Sequence, residues 1–180
     1  MRIIAGTYKG KRLTAPKKLP VRPTTDMAKE GLFNILSNRY YLEDLKILDL
    51  FSGTGNISFE FASRGSKSII AVDSYVGCVQ FISKTAKELG FPIQAIKSDV
   101  FKFLERTSEK ADIVFADPPY NLPFNEFTKI VLLVFERKLL LEDGLLIIEH
   151  SDQTDLSTIE HFSEARKYGG SVFSFFIKPE

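Results

Sequence analysis

The sequence has few of the residues on which several protein classes depend. Its 180 residues include one cysteine and no tryptophan. A single cysteine cannot form an internal disulfide framework or a cysteine-rich zinc site, so we expect a reducing, cytoplasmic compartment and no metal. The longest purely apolar run, residues 130–135, is far shorter than the roughly 20 residues of a membrane helix. We therefore expect a soluble chain without a signal peptide.

Acidic residues are absent from the first 24 positions. That segment holds seven of the 24 basic residues, which leaves 17 basic and 23 acidic residues in the remaining 156 positions. The net charge of +1 therefore combines a basic arm with an acidic body. This asymmetry is typical of chains with a polyanionic partner, and a solvated basic tail is the alternative. The basic residues that we expect to contact such a partner are Arg2, Lys9, Lys11, Arg12 and Arg22.

Two regions differ in their sequence pattern. In residues 1–24, two short runs of β-forming and basic residues, 2–8 and 11–15, flank Lys9-Gly10 and predict a small β-hairpin followed by a proline-rich linker. Residues 25–180 are expected to form the main domain, which opens with a predicted amphipathic helix over 27–36.

From residue 46 onward, short apolar strands alternate with helices. The predicted strands cover 47–51, 68–72, 93–96, 113–116 and 145–148, the predicted helices cover 56–64, 76–89 and 124–137, and a terminal hairpin covers 165–177. Strands that alternate with crossover helices predict a doubly wound, mostly parallel sheet covered on both faces. The expected fold class is thus α/β and Rossmann-like, with seven strands.

A glycine-rich turn follows the first predicted strand, where a doubly wound sheet binds its ligands. The dinucleotide pattern G-x-G-x-x-G fails because Ser58 occupies its last position, and no Gly-Lys-Ser/Thr triplet is present. A pyrophosphate site is therefore disfavoured. Gly53 and Gly55 would still allow a close ligand approach or a positive φ.

Acidic residues end three successive predicted strands at Asp49, Asp73 and Asp99. Each alone is more often an exposed turn residue, but together they suit a ligand with an ammonium group, a ribose diol and an adenine amine. Those groups describe S-adenosylmethionine, with Asp73 placed to accept from the ribose hydroxyls. The candidate cofactor-binding residues are Asp49, Phe51, Gly53, Thr54, Gly55, Asn56, Asp73, Ser74, Asp99 and Val100.

The tetrad Asp117-Pro118-Pro119-Tyr120 follows the fourth predicted strand. The two prolines could simply be part of a connecting loop. They also stiffen the turn, however, and they lack N–H groups. The carboxylate of Asp117 and the carbonyl of Pro118 can accept the two hydrogens of a base amine, and Tyr120 can stack on the base. Such contacts would raise the electron density on a poorly nucleophilic amine, and Asp117 could take its proton. A paired base could enter only after flipping out.

These motifs together resemble the class I S-adenosylmethionine-dependent amino-methyltransferases. The segments Arg2-Ile3-Ile4-Ala5-Gly6, Gly10-Lys11-Arg12-Leu13 and Arg22-Pro23-Thr24, with Glu30-x-Leu32-Phe33-Asn34-Ile35-Leu36, resemble the bacterial RsmD-type family. The resemblance implies methylation of the N2 amine of guanine 966 in 16S ribosomal RNA, naked or in an assembled small subunit. It also implies a cytoplasmic enzyme, for which we expect a monomer.

The same resemblance assigns roles to the candidate residues. It implies that Asp49, Phe51, Gly53, Gly55 and Asp73 surround the methionine and ribose of the cofactor. It further places Asp99 and Val100 at the adenine, and the tetrad Asp117, Pro118, Pro119 and Tyr120 at the target amine.

Three alternatives remain open. A DNA adenine-N6 methyltransferase shares the tetrad, but such enzymes usually carry a target-recognition region for which this chain has no segment. A methyltransferase acting on a protein glutamine or a small molecule would leave the basic arm without a task. A non-catalytic RNA-binding relative would not need Asp117 and both glycines of the turn.

Overall fold

The computed structural model describes all 180 residues as one sheet with helices on both faces. The strands are β1 (Lys46–Leu50), β2 (Ser68–Asp73), β3 (Ile93–Lys97), β4 (Ala111–Ala116), β5 (Leu140–Ser151), β6 (Phe162–Tyr168) and β7 (Ser171–Ile177). The helices are α1 (Asp26–Arg39), α2 (Asn56–Ser63), α3 (Val76–Leu89), α4 (Val100–Arg106) and α5 (Phe124–Glu136). None of these helices combines the length and the apolar character needed to cross a membrane.

The strand order is β3-β2-β1-β4-β5-β7-β6. The first five strands of this order pair in parallel, whereas β7 pairs antiparallel with both β5 and β6. The predicted doubly wound, mostly parallel seven-stranded sheet with a closing hairpin is thus confirmed. The order reverses between β1 and β4, so the carboxyl ends of these two strands flank the crevice in which such sheets bind ligands.

Alternating side chains on the strands supply two apolar layers. Leu48, Val114 and Ile148 belong to the layer beneath α4 and α5. The opposite layer, beneath α1 and α2, contains Ile47 and Phe115. The same alternation determines toward which face of the sheet the side chain of each polar residue at a strand end points.

Two elements differ from the prediction. Helix α4 was not predicted, because its seven residues bury only Val100 and Leu104 and are too short to show a helical period. Strand β5 spans twelve residues where only 145–148 were predicted. Its first half contains exposed acidic residues, and its pairing with β4 shifts register there, so the local sequence does not look like a strand.

The N-terminal arm forms the predicted hairpin, although its two sides share a single antiparallel bridge between Arg2 and Arg12 rather than regular strands. The hairpin packs on the carboxyl end of α2. At Gly6, φ is +83°, and an added Cβ would lie 1.8 Å from the carbonyl oxygen of Ser63. Only glycine fits this contact.

A buried ion pair ties the arm to the main domain. The Glu60 carboxylate accepts from the amides of Ile4 and Ala5 at 2.9 and 3.1 Å, and it lies 3.3 Å from the Lys29 ammonium. Lys29 also donates to the carbonyl of Arg2. Arg64 also donates to the Glu60 carboxylate at 2.9 Å, so removal of Glu60 would leave the buried Lys29 ammonium without its carboxylate partner, whereas removal of Lys29 would leave Glu60 paired with Arg64.

Candidate active site

A cavity of about 510 Å³ opens at the carboxyl ends of the central strands. Its lining includes Asp49, Phe51, Gly53, Thr54, Asn56, Asp73 and Ser74 from the predicted cofactor set, and Arg22 from the basic set. It also includes the whole tetrad, Asp117, Pro118, Pro119 and Tyr120. The predicted residues that do not line the cavity are Gly55, Asp99 and Val100, and four basic residues of the arm, Arg2, Lys9, Lys11 and Arg12.

Asp49 is the most deeply buried acid of this cavity, with 1% of its surface exposed. It lies on the α1–α2 face of β1, two residues after Ile47, and its carboxylate accepts from the Ser58 hydroxyl at 2.6 Å. Burial raises the pKa of Asp49 to about 7, against the smaller opposite effect of that hydrogen bond. An adjacent cationic group would favour the ionised form, so this site suits a positively charged ligand.

The turn after β1 exposes polar groups to the cavity. Phe51 and Gly53 both have positive φ, 54° and 55°. The Gly53 amide donates to Asp73 Oδ2 at 2.8 Å, and the Tyr75 amide donates to Asp73 Oδ1 at 2.9 Å. Each carboxylate oxygen of Asp73 retains a further lone pair for a ligand hydroxyl. The buried hydroxyl of Ser52, also in the lining, has no hydrogen-bond partner in the protein.

Gly55 serves packing in this structure. It caps α2 with a φ of 83°, as its predicted positive φ requires, and an added Cβ would lie 2.9 Å from Ile82 Cγ1. Glycine is therefore needed here because α2 and α3 pack closely together.

Asp99 and Val100 lie at the start of α4. The Asp99 side chain caps this helix by accepting from the Lys102 amide at 3.0 Å, and Val100 is buried in the apolar layer beneath α4. Their contact with an adenine stays a prediction.

The tetrad begins directly after β4. The Asp117 amide donates to the Leu50 carbonyl at 3.2 Å and so fixes the end of β4 beside the end of β1. The Pro119 carbonyl accepts from the Leu122 amide at 2.9 Å, whereas no protein donor reaches the Pro118 carbonyl. Burial, and then the negative charges of Glu149 and Asp49, raise the pKa of Asp117 well above its usual range.

Several lining residues were missed by sequence reasoning. The most notable is Glu149, near the end of β5, which is 2% exposed and accepts from the Thr24 hydroxyl at 2.6 Å. An acid after an apolar strand is the same signal that singled out Asp49 and Asp117. Glu149 directly follows the predicted strand 145–148, as Asp117 follows the predicted strand 113–116, so this signal could have identified it. His150, next along, faces the opposite layer, and its ring contacts the Ser174 hydroxyl at 2.7 Å.

Arg22 is the one member of the predicted basic set that lines the cavity. Its guanidinium lies 5.4 Å from the centre of the Tyr120 ring, and the Tyr120 hydroxyl lies 3.2 Å from the Ser171 hydroxyl. Arg2 forms an ion pair with Asp26 at 3.2 Å. The remaining three basic residues of the set, Lys9, Lys11 and Arg12, are exposed on the hairpin.

Asn56, which lines the cavity, links Thr24 to Lys29. Its amide donates to the Thr24 carbonyl at 3.0 Å, and its oxygen accepts from Lys29 at 2.8 Å. Residues 20–25, which line the cavity, are thereby linked through Asn56 to the same lysine that anchors the arm. No group of three or more His, Cys, Asp or Glu side chains is arranged to hold a metal ion.

The chain resembles known proteins over almost its whole length. The family model described as Conserved hypothetical protein 95 matches residues 1–177. The Bacillus subtilis (strain 168) protein YlbH is 32% identical over 161 residues, which cover 87% of this chain and 85% of that protein. "Ribosomal RNA small subunit methyltransferase D" of Escherichia coli (strain K12) is 30% identical over 88% of this chain and 79% of its own length.

Solved structures agree on the fold. The structure of yhhF from Escherichia coli superimposes with a TM-score of 0.85 at 24% identity, over 98% of this chain and 96% of that one. The sheet, the tetrad beside the glycine-rich turn, and these sequence similarities have one common explanation. The chain belongs to the RsmD-type family of ribosomal RNA methyltransferases.

Proposed function

We propose that this chain transfers a methyl group from S-adenosylmethionine to the N2 amine of the guanine at position 966 of 16S ribosomal RNA. The observation that carries the proposal is the shared cavity of buried Asp49 and the tetrad that begins at Asp117. We expect the enzyme to act as a monomer. As a ribosomal RNA enzyme, it would act in the cytoplasm.

Three features of the cavity fit the proposed methyl donor. Buried Asp49 suits a cationic group, Asp73 retains acceptors for a ribose diol, and the Ser52 hydroxyl lacks a partner that a bound ligand would provide. When bound, S-adenosylmethionine supplies an activated methyl group on a sulfonium. Residues of the turn after β1 would hold its amino-acid and ribose parts.

The tetrad would orient the target amine. Asp117 and the free Pro118 carbonyl would each accept one amine hydrogen, which raises electron density on the nitrogen and directs its lone pair. The raised pKa of Asp117 makes its carboxylate a stronger acceptor for the proton that the methylated amine releases. Tyr120, 40% exposed at the rim, offers an aromatic surface on which the base would stack.

The arm would supply the nucleic-acid contact. Its exposed basic residues lie on a hairpin that is held to the domain by the Lys29–Glu60 pair, so a phosphate backbone bound there has a defined position relative to the cavity. Arg22 would extend this positive surface to the cavity rim beside Tyr120.

Methyl transfer from labelled donor tests the proposal directly. We expect the protein to label 16S ribosomal RNA at N2 of one guanine, and assays on naked RNA and on small subunits identify the form it accepts. Labelling of DNA adenine, or of a protein glutamine, would instead favour one of the alternatives.

The variant Asp117→Ala tests the role of the tetrad. We expect the methylation rate to fall about 100- to 10,000-fold while the affinity for the methyl donor is nearly unchanged. Asp117→Asn is the matched control for side-chain volume, because it keeps an acceptor but removes the charge and the basicity. An equal loss of donor affinity in Asp117→Ala would contradict the assigned role.

A further inference from the structure

Glu149 lines the cavity, but the proposed reaction assigns it no role. In the β4–β5 pairing, Ala116 is opposite Ile148, so Asp117 and Glu149 are the next residues along two neighbouring parallel strands. Neighbouring strands lie about 4.8 Å apart, and residues at matched positions point to the same face. Both acids line the cavity, and the negative charge of Glu149 raises the pKa of Asp117.

The Glu149 carboxylate is held in place on one side. Its Oε2 accepts from the Thr24 hydroxyl at 2.6 Å, and the Thr24 carbonyl is fixed by the Asn56 amide at 3.0 Å. Burial raises the pKa of Glu149, and the hydroxyls of Thr24 and Ser171 and the positive charge of Arg22 offset part of this effect. The lone pairs that these donors leave free can accept from a ligand.

The two candidate target bases differ at the atom beside their amine. In guanine, the N2 amine is next to N1–H, a hydrogen-bond donor. In adenine, the N6 amine is next to an unprotonated N1, an acceptor. A carboxylate is only an acceptor, so it would bind the N1–H of guanine and repel the N1 lone pair of adenine. Sites built to hydrogen-bond one polar group strongly reject analogues that lack it.

We propose that Glu149 determines the specificity for guanine by accepting a hydrogen bond from N1–H while Asp117 accepts from the adjacent N2 amine. This assignment rests on the proposed function and deepens it. Two parallel strands that end side by side thus present two acceptors to two neighbouring donors of one base edge. The free Pro118 carbonyl takes the second amine hydrogen.

The experiment compares RNA substrates that carry guanine or 2-aminopurine at the target position. 2-Aminopurine keeps the amine at C2 but has no hydrogen on N1. With the unmodified protein, we expect kcat/KM for guanine to exceed that for 2-aminopurine by at least about 100-fold. In Glu149→Gln, the amide can donate to the unprotonated N1, so we expect this ratio to fall at least about tenfold.

His150→Gln is the matched control, because it alters the next buried residue of β5 on the opposite face and should leave the ratio unchanged. Equal use of both bases by the unmodified protein would overturn the proposal without any variant. An unchanged ratio in folded Glu149→Gln would overturn it as well. If the unmodified protein methylated no guanine at all, the proposed function itself would be wrong, which is a distinguishable result.

Discussion

Replacing Asp49 by asparagine should stabilise the protein above neutral pH while weakening its binding of S-adenosylmethionine. The substitution keeps the side-chain volume and an acceptor for the Ser58 hydroxyl, but it removes the ionisable group. The native position costs stability because an ionised carboxylate is held away from water with one hydroxyl as its partner. Such a cost is expected where a ligand supplies the missing positive charge.

The magnitude follows from the pKa of Asp49. Burial raises this pKa from 3.8 to about 7, so the folded protein binds the proton more tightly than the unfolded chain. The contribution of Asp49 to the free energy of unfolding is therefore most favourable below pH 3.8, decreases as the pH rises toward about 7, and is constant above that pH. A shift of about 3 units corresponds to at most about 4 kcal/mol, of which about 3 kcal/mol falls between pH 5 and 8.

Urea unfolding of both proteins at pH 5 and pH 8 measures this effect. Asp117 and Glu149 also have raised pKa values, and because both residues are common to the two proteins most of their contribution cancels in the difference. The part of the Asp117 shift that the charge of Asp49 causes is lost in the variant, and this change acts in the same direction as the loss of Asp49 itself. We expect the free energy of unfolding of Asp49→Asn, relative to the unmodified protein, to increase by about 3 kcal/mol between the two pH values. If the two proteins differed in their free energy of unfolding by the same amount at pH 5 and pH 8, the raised pKa of Asp49 would be refuted.

Binding of the methyl donor gives an independent reading of the same acid. A cationic ligand favours the ionised carboxylate, so the affinity of the unmodified protein should increase as the pH rises through about 7. In Asp49→Asn, this contribution to the pH dependence should disappear. Calorimetric titrations of both proteins at pH 6 and 8 provide the comparison.

Three further predictions concern the arm and the cavity rim. One variant replaces four basic arm residues by alanine: Arg2, Lys9, Lys11 and Arg12. It should weaken RNA binding and reduce the slope of log affinity against log salt by about 0.7 for each phosphate that is no longer neutralised; an unchanged slope would exclude the arm as the RNA-binding surface. In urea unfolding, Gly6→Ala should cost about 3 kcal/mol or more because of its backbone clash, whereas Gly10→Ala, with open space and the same φ, should cost about 1 kcal/mol. Methylation should slow about 10- to 100-fold in Tyr120→Ala because the base can no longer stack, and little in Tyr120→Phe; equal damage by both would point to the hydroxyl instead.

Local patterns predicted the strands, the glycine-rich turn and the tetrad because each is encoded by neighbouring residues. Apolar runs bounded by turn residues predicted β1 and β4. Asp49 lies near the end of β1, and Asp117 directly follows β4. The alternation of strands and helices then implied that these two acids share one edge of the sheet. The cavity contains both, as that reasoning required.

The same patterns could not separate packing from ligand contact. Gly53 and Gly55 are equivalent in the motif, yet one donates to Asp73 beside the cavity and the other makes room for Ile82. Asp99 looked like a third strand-end acid, but a short helix begins immediately after it and takes its carboxylate as a cap. The two glycines differ through residues that are distant in the sequence, Asp73 and Ile82, whereas Asp99 differs through a neighbouring helix that is too short to show a helical period.

By itself, the sequence determined the α/β class, the strand-end acids and the charge asymmetry between arm and body, since these follow from composition and from periods of a few residues. Only the tertiary structure decided that Thr24 and Glu149, 125 positions apart, would meet at 2.6 Å, and that Lys29 would join the arm to the cavity rim. Buried polar groups form hydrogen bonds with whichever groups the fold places next to them, and a local sequence pattern does not contain that information.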